Sequence, residues 1–298
     1  MSLSYSIFDV FTDQPLSGNP LAVVQAADAL PTARMQAIAR EFNLAETVFL
    51  QTSQLPNALA RVRIFTPMRE LPFAGHPTVG TACFLAEQGL APAGDDQRIL
   101  LELGIGPLSV RLRRAEGRPV YAELTAAAAP EYGPTRPTTE AVAAMLGLET
   151  ADLVSGNETV RTASCGMPFV LVPLRVPELL SAIDPDVTLM RRGLAGQWAQ
   201  QLYVYARGYE GELRARMFAP DLGIPEDPAT GGAAVALAGA LAMESPIVEG
   251  RLDWVIHQGV EMGRPSQLSI SADRAGGAVT AVRVGGHAVR VADGQLRI

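Results

Sequence analysis

The sequence predicts an α/β (α+β) protein made of two similar domains, and three observations favour this fold class. The chain has 298 residues, of which 48% are hydrophobic and 18% are charged. This composition is typical of soluble globular proteins, and the length is sufficient for two domains of about 150 residues. Short motifs of the first half recur in the second half, and each half alternates predicted strands with helices.

The internal repeat consists of four pairs of motifs that keep the same order in the two halves. The pairs are Ser17–Val24 with Cys165–Val172, Arg63–Pro67 with Arg216–Pro220, Gly75–Gly80 with Asp227–Gly232, and Leu108–Val110 with Leu268–Ile270. Each motif is short, but an ordered set at offsets near half the chain length indicates a duplicated domain.

The elements of the first half follow from local patterns. Thr32–Glu41 has apolar residues at helical spacing, whereas Arg61–Phe65 alternates arginine with apolar side chains, as a half-buried strand does. A leading proline and small residues predict a helix over Pro77–Glu87. The other predicted strands of this half are Tyr5–Phe11, Leu21–Val24, Thr47–Gln51, Leu108–Leu112 and Val120–Leu124.

The second half repeats this order. Pro228–Met243 predicts a second helix of small residues, again with proline at its start. Leu268–Ser271 and Val279–Val284 predict the closing strands.

The division into domains follows from the link and the tail. Thr125–Pro137 is rich in Ala, Pro and Thr, which favours a link between the halves. The tail His287–Ile298 has no counterpart in the first half, and we expect it to return and add a strand there. We therefore predict an N-terminal domain of residues 1–124 plus the strand 287–298, and a C-terminal domain of residues 125–286.

The charged residues exclude several classes of chemistry. All 24 basic residues are arginine, so the chain has no lysine. A pyridoxal phosphate Schiff base, a P-loop and a lysine general base are therefore excluded. The net charge of −7 and the pI of about 5.1 disfavour nucleic acid as a partner.

The cysteines and histidines do not predict a metal site. Cys83 and Cys165 are too few and too far apart for a zinc site or a disulfide framework. The histidines, His76, His257 and His287, are well separated, so no metal is expected.

The sequence predicts neither a membrane span nor a signal peptide. The most apolar stretch, Ala229–Met243, is shorter than the about 20 residues of a span, and Glu244 closes it. Met1–Phe11 contains the acidic Asp9 and no basic residue, which disfavours a signal peptide. We therefore expect a cytoplasmic protein without a membrane partner.

The starts of the two small-residue helices are the first candidate site. Pro77 follows His76 and Pro228 follows Asp227, and each proline is predicted at the first helical position. The leading N–H groups of a helix are unpaired and its dipole favours negative charge, so such a start suits an anion. If the two halves face each other, a small carboxylate is the expected substrate.

Glu46 is the candidate base. Without lysine or a metal, removing a proton from a carbon acid requires a carboxylate, histidine or cysteine. Neither Cys83 nor Cys165 lies in the two helix-opening turns, which disfavours a racemase with two thiols. Glu46, just before an apolar strand, and Asp227 are then the candidate carboxylates.

Structural roles remain alternatives for each candidate. Asp227 before a proline is also a common N-cap, and His76 is compatible with a purely structural histidine. Glu46 taken alone is compatible with a solvated surface carboxylate. Arg264 is either a clamp for a carboxylate or a structural arginine that binds carbonyl groups.

Six motifs occur in a specific order along the chain. They are Phe8–Phe11, Gly18–Val23, Asn43–Thr47, Phe73–Gly80, Glu226–Gly231 and Gln258–Pro265. Together they resemble the PhzF-like phenazine-biosynthesis family from residue 5 to about residue 270. No single motif is decisive, but six in this order are highly specific.

The resemblance implies the diaminopimelate-epimerase-like fold, in which two pseudo-symmetric domains each wrap a sheet around a central helix. Family members use no cofactor and are commonly homodimers. Their best-known activity isomerises trans-2,3-dihydro-3-hydroxyanthranilate during phenazine assembly. In that reaction the glutamate matching Glu46 moves a proton from one ring carbon to another, while the residues matching His76 and Asp227 hold substrate groups and assist the transfer.

We accordingly predict a cofactor-independent isomerase that moves a proton on a small carboxylate substrate. The predicted substrate-binding residues are Gly75, Thr230, Gly231 and Gly232. Many relatives have serine at the position of Gly232, and the missing hydroxyl leaves the substrate's identity open. Two alternatives also stay open, namely a racemase or epimerase of the same fold and a non-catalytic protein that binds a small molecule.

Overall fold

The computed structural model describes residues 2–298, apart from the side chain of Asn157. Met1, the first residue of the predicted N-terminal domain, lies outside the described residues. The chain divides into two compact units. The first unit comprises Met1–Thr125 and Gly285–Ile298, and the second unit comprises Ala126–Val284.

The first unit begins with a strand, and its second α-helix lies near the middle of the unit's residues. Its strands are β1 (Ser2–Val10), β2 (Asn19–Val24), β3 (Glu46–Gln51), β4 (Ala58–Phe65), β5 (Glu70–Leu71), β6 (Asp96–Leu103), β7 (Gly106–Arg113) and β8 (Tyr121–Thr125). Its helices are α1 (Thr32–Phe42), α2 (Gly75–Glu87) and a 3-10 helix at Ala27–Ala29. The alternation predicted within β4 is confirmed, because Val62 and Ile64 are buried whereas Arg61 and Arg63 are partly exposed.

The second unit repeats this order of elements. Its strands are β9 (Glu131–Tyr132), β10 (Arg161–Ser164), β11 (Pro168–Leu174), β12 (Leu202–Arg207), β13 (Leu213–Ala219), β14 (Ile224–Asp227), β15 (Gly250–Gln258), β16 (Ser266–Ala275) and β17 (Ala278–Arg297). Its helices are α3 (Thr139–Leu146), α4 (Leu179–Ala182), α5 (Val187–Leu194), α6 (Gly231–Glu244) and 3-10 helices at Thr150–Asp152, Gly156–Glu158 and Pro220–Leu222.

The strands of the two units are paired in the same pattern. In the first unit β1–β2 is antiparallel, β2–β3 parallel, β3–β4 antiparallel, β4–β6 parallel and β6–β7 antiparallel. In the second unit β10–β11, β11–β12, β12–β13, β13–β15 and β15–β16 follow the same sequence of directions. The prediction of two pseudo-symmetric α/β halves is therefore confirmed.

Each unit packs its sheet around one central helix. Helix α2 is buried from His76 to Ala86 and contacts β1, β2, β3, β7 and β8. A helix that is apolar and small on all sides suits such an enclosed position. At Gly80 a Cβ atom would lie 2.6 Å from Leu21 Cδ2 and 2.7 Å from Val10 Cγ2, so glycine permits the close approach to the sheet.

Helix α6 has the equivalent place in the second unit. It contacts β9, β10, β11, β15 and β16, and its residues from Ala233 to Ala242 are buried. This is the most apolar stretch of the sequence, and here it forms a core helix of 14 residues. Among residues 2–298, no helix combines the length and apolar character that crossing a membrane requires.

The C-terminal strand β17 contributes to both units. From Gly285 onward its residues belong to the first unit. There it pairs antiparallel with β1, from Ser2 opposite Arg297 to Val10 opposite Ala288. The tail thus supplies a strand to the sheet that the N-terminus begins.

The predicted starts of both central helices are wrong. Helix α2 begins at Gly75, so Pro77 is its third residue, and α6 begins at Gly231, three residues after Pro228. For α6 the reason is tertiary, because Asp227 is the last residue of β14 and pairs with Met217 of β13. The sheet therefore keeps the backbone extended at Asp227, and the helix begins only after the following turn.

Candidate functional site

The first group of candidate residues lies where β3 and α2 begin. Glu46 is the first residue of β3 and stands opposite Leu21 of the parallel strand β2. His76 is the second residue of α2, and its Nδ1 atom lies 3.4 Å from Oε2 of Glu46. Glu46 is only 8% exposed and His76 only 4% exposed. The alternative of a solvated surface glutamate is therefore wrong.

The imidazole of His76 is neutral at physiological pH. Burial lowers the pKa of His76 from its usual 6.5 to about 3, since the protonated ring would lose its hydration. Its contact with Glu46 is thus not an ion pair, and 3.4 Å exceeds the usual N–H···O distance of about 2.9 Å. Within the described part of the chain, the buried Nε2 atom of His76 has no hydrogen-bond partner. This nitrogen is available to one donor or acceptor of a bound molecule.

The first turn of α2 offers backbone donors beside these side chains. Its N-cap is Ala74, which makes no side-chain cap hydrogen bond. The Thr78 hydroxyl donates to the Ala74 carbonyl at 2.7 Å and helps to close the turn. Pro77 has no N–H group, so the leading donors are the N–H groups of Gly75 and His76, which have no carbonyl partner within the helix.

The second group of candidate residues surrounds Asp227 at the end of β14. Asp227 is 6% exposed, and the Thr230 hydroxyl donates to its Oδ2 atom at 2.5 Å. The N-cap of α6 is Thr230, so the alternative that Asp227 is merely that N-cap is wrong. Because the single hydroxyl proton of Thr230 is donated to Asp227, this hydroxyl has no proton left to donate to a ligand.

Two residues that the sequence did not single out complete this group. Gln258, the last residue of β15, donates from Nε2 to the Asp227 carbonyl at 2.7 Å and to the Thr230 hydroxyl at 3.0 Å. Its Oε1 atom accepts from the Tyr203 hydroxyl at 3.1 Å and from the Thr230 N–H at 3.2 Å. Gln258 begins one of the six motifs, which was an available signal. Tyr203 lies in an apolar strand and resembles an ordinary core residue.

The first two residues of α6 are glycines, and the second of them has room for a side chain. The Thr230 side chain does not cap the helix, so it accepts no hydrogen bond from the backbone N–H groups of the first turn. Gly231 is buried and Gly232 is partly exposed. A Cβ atom on Gly232 would lie 3.5 Å from Cε2 and Cζ of Phe169, which is an ordinary contact distance. The position therefore accepts a small side chain.

The candidate residues thus form two groups, one within each unit. Glu46, His76 and Gly75 belong to the first, and Asp227, Thr230, Gly231 and Gly232 belong to the second. The backbone N–H of Arg264 donates to the Gly259 carbonyl at 3.0 Å in a tight turn. Residues 2–298 contain no cluster of three or more His, Cys, Asp or Glu side chains that suits a metal ion.

The two cysteines are poor candidates for a nucleophile or base. Cys83 and Cys165 are buried, and burial raises the pKa of each thiol to about 12. Their Sγ atoms contact the carbonyl oxygens of Val120 and Val235 at 3.4 Å and 3.3 Å. Both thiols are therefore protonated at neutral pH, which disfavours thiolate chemistry.

Comparisons with known proteins are consistent with this arrangement. The model of the family described as phenazine biosynthesis-like protein matches residues 8–294. An uncharacterized isomerase of Mesorhizobium japonicum is 42% identical and covers 99% of both chains. The trans-2,3-dihydro-3-hydroxyanthranilate isomerase of Pseudomonas aeruginosa is 38% identical and covers 98% of both chains.

Solved structures identify the fold. A PhzF-family phenazine biosynthesis protein of Bacillus anthracis superposes with a TM-score of 0.88 over 100% of both chains, at 24% identity. At this identity the similarity establishes the fold. The diaminopimelate-epimerase-like fold that the six motifs imply is therefore confirmed.

Proposed function

The chain belongs to the phenazine biosynthesis-like family and is an isomerase, and from this premise we propose that it moves a proton between two carbon atoms of a small carboxylate. The first candidate substrate is trans-2,3-dihydro-3-hydroxyanthranilate, because the relative from Pseudomonas aeruginosa is named for its isomerisation. The observation that carries the proposal is the buried Glu46 carboxylate beside the neutral His76 imidazole.

Glu46 is the proposed base and proton carrier. Its carboxylate accepts the proton of a ring C–H bond, and the electron pair of that bond moves into the ring double bonds. The carboxyl group then returns the proton to a second ring carbon, so the substrate changes neither composition nor oxidation state. A single buried carboxylate at the start of a strand suits such a transfer, because general acid–base catalysis requires only a positioned group within hydrogen-bond reach.

The neutral state of His76 supports this assignment. A protonated imidazole at 3.4 Å would favour the charged form of Glu46 and make it a weaker base, whereas a neutral ring does not. The buried Nε2 atom, which has no partner among the described residues, is then proposed to bind a polar group of the substrate. His76 thus orients the substrate without neutralising the base.

The remaining candidates are proposed to bind the polar groups of the substrate. The N–H groups of Gly75, Gly231 and Gly232 suit its carboxylate, because helix N-termini favour anions. Asp227 is proposed to accept a hydrogen bond from its amino group. Thr230 contributes by holding Oδ2 of Asp227, since its hydroxyl proton is already committed to that atom.

The test is an NMR assay in D2O with trans-2,3-dihydro-3-hydroxyanthranilate. Wild type is expected to convert the compound. The carbon that receives the proton gains deuterium only to the extent that the Glu46 carboxyl group exchanges with D2O before it returns the proton. Glu46→Gln is expected to lose at least about 100-fold in rate, since a positioned acid–base group typically contributes about 10²–10⁴-fold.

Glu123→Gln is the matched control for this assay. Glu123 is another buried glutamate of the first unit, on β8, and the Arg111 and Arg113 guanidinium groups lie 3.8 Å and 3.7 Å from its carboxylate. Circular dichroism verifies that both variants are folded. Equal activity in Glu46→Gln and Glu123→Gln would contradict the role of Glu46, and an inactive wild type would contradict this substrate.

We also propose that the enzyme is a homodimer that needs no cofactor, as the family resemblance implies, and that it is cytoplasmic. The predicted domain bounds, with residues 1–124 and 287–298 in one domain and residues 125–286 in the other, are retained as part of this proposal.

A further inference from the structure

We propose that Gln258 is a positioning residue, which fixes the Asp227 carboxylate and the first turn of α6 for substrate binding. The inference rests on the proposed role of Asp227 as a ligand of the substrate. It is carried by a hydrogen-bond network that lies wholly within the second unit and comprises Tyr203, Gln258, Thr230 and Asp227.

The Gln258 amide is fully buried and uses its whole hydrogen-bonding capacity. It is 0% exposed, and its two N–H protons and two oxygen lone pairs are matched by two acceptors and two donors. The orientation of the amide is also determined. The Asp227 carbonyl only accepts and the Thr230 N–H only donates, so exchanging nitrogen and oxygen would oppose like groups at both places.

This saturated amide determines where the Thr230 hydroxyl donates its proton. Nε2 of Gln258 donates to the Thr230 oxygen at 3.0 Å, so a lone pair of that oxygen is occupied from this side. The hydroxyl proton is directed away from the amide, to Oδ2 of Asp227 at 2.5 Å. Gln258 therefore orients the Asp227 carboxylate through Thr230, besides holding the backbone carbonyl of Asp227 directly.

Tyr203 fixes the far end of the network. Its hydroxyl is buried in β12, and burial, reinforced by the charge of Asp227, raises the pKa of Tyr203 above its usual range. The phenol therefore stays protonated and remains a donor to Oε1 of Gln258. Removing this hydroxyl takes away one of the four hydrogen bonds that hold the amide.

Packing alone does not require an amide at this position. Ile256 precedes Gln258 by two residues on β15, so it lies on the same face of the strand, and it is buried and apolar. A buried polar group is costly when its partners are missing, so an apolar side chain would be the safer choice in a plain core. The polar group occurs where the strand reaches Asp227.

The experiment compares two phenylalanine variants in the same strand. Tyr203→Phe removes a hydrogen bond to Gln258, whereas Tyr205→Phe removes one from Arg161, outside the network. Both tyrosines are fully or almost fully buried, so the two variants lose similar contacts. The rate is measured with trans-2,3-dihydro-3-hydroxyanthranilate, and urea unfolding is measured for each variant.

A positioning role predicts a specific pattern of rates. Tyr203→Phe is expected to lower kcat/KM by about 2- to 10-fold, as the loss of one net hydrogen bond does, while Tyr205→Phe leaves it unchanged. Gln258→Leu, if it folds, is expected to lose about 10- to 100-fold. Equal kcat/KM in the two phenylalanine variants would overturn the proposal, as would wild-type kcat/KM in a folded Gln258→Leu variant.

A second measurement separates this proposal from the proposed substrate. Amide hydrogen exchange at Thr230 is followed by NMR without any ligand, because the Thr230 N–H donates to Gln258. Faster exchange at Thr230 in Tyr203→Phe than in Tyr205→Phe supports the positioning role even if wild type does not convert the compound. Identical exchange in both variants would refute it, whatever the outcome of the rate assay.

Discussion

The burial of His76 predicts that the protein loses stability in mild acid. The pKa of His76 is about 3 in the folded protein and about 6.5 in an unfolded chain. Between these values the unfolded chain binds a proton that the folded protein does not, so stability falls as the pH decreases. The slope rises from about 0.7 kcal/mol per pH unit at pH 6.5 toward about 1.4 at lower pH, which amounts to about 1.7 kcal/mol between pH 6.5 and pH 5.0.

This pH range isolates the effect of His76 from the carboxylates. Some carboxyl groups have a pKa that arginine or hydroxyl partners lower from a usual value of 4.5 or less. These groups therefore change the pH dependence of stability only below pH 5. They are Asp96, Glu102, Asp273 and Asp293. A loss of about 1.7 kcal/mol is a large share of the about 5–15 kcal/mol that stabilises a typical domain. Below about pH 3 the contribution of His76 no longer changes.

The assay is urea unfolding at several pH values, followed by far-UV circular dichroism. Trp198 and Trp254 both lie in the second unit, so tryptophan fluorescence recorded in parallel reports on that unit. His76→Asn is expected to remove the slope between pH 6.5 and pH 5.0. Glu46→Gln is expected to keep it, because burial rather than the carboxylate lowers the pKa of His76. Equal slopes in wild type and His76→Asn would refute this reasoning.

Two glycines of the central helices give further predictions. Gly232→Ser is expected to change the free energy of unfolding by less than about 0.5 kcal/mol, because its Cβ meets Phe169 at an ordinary 3.5 Å. The same variant is expected to lower KM for trans-2,3-dihydro-3-hydroxyanthranilate by about 2- to 10-fold, because the serine hydroxyl adds one hydrogen bond to the substrate. Gly232→Ala is the control. An equal KM in Gly232→Ser and Gly232→Ala would argue against this hydrogen bond. Gly80→Ala is expected to destabilise the protein by about 1–2 kcal/mol in urea unfolding, since overpacking against Leu21 and Val10 outweighs the helix propensity of alanine. Wild-type stability in Gly80→Ala would show that the sheet yields at this point.

The duplicated fold was predictable because its motifs are short and recur in the same order in both halves, and because the patterns of its elements are local. Alternating burial in β4 and the small residues of α2 and α6 are visible in short windows of sequence. The start of α6 was not predictable in this way. Asp227 is held in an extended conformation by pairing with Met217, and this pairing is not visible in the helix-start pattern of Asp227 and Pro228.

The two parts of the candidate site differ in how far the sequence revealed them. Glu46, His76 and Asp227 were singled out from their residue types and motifs, and their catalytic roles remain predictions. The partners of Asp227 were missed, because Tyr203 is 55 residues from Gln258 and Gln258 is 28 residues from Thr230 along the chain. Such a network has no periodicity that a sequence pattern can reveal.

The sequence by itself determined which chemistry is available to this protein. A chain with no lysine cannot form a Schiff base at a lysine, and this holds in any conformation. The tertiary structure alone decided the states of the groups that remain. Burial keeps His76 neutral and both thiols protonated, and the saturated Gln258 amide directs the Thr230 proton to Asp227. Desolvation and hydrogen bonding depend on neighbours that are distant in the chain, and only folding brings those neighbours together.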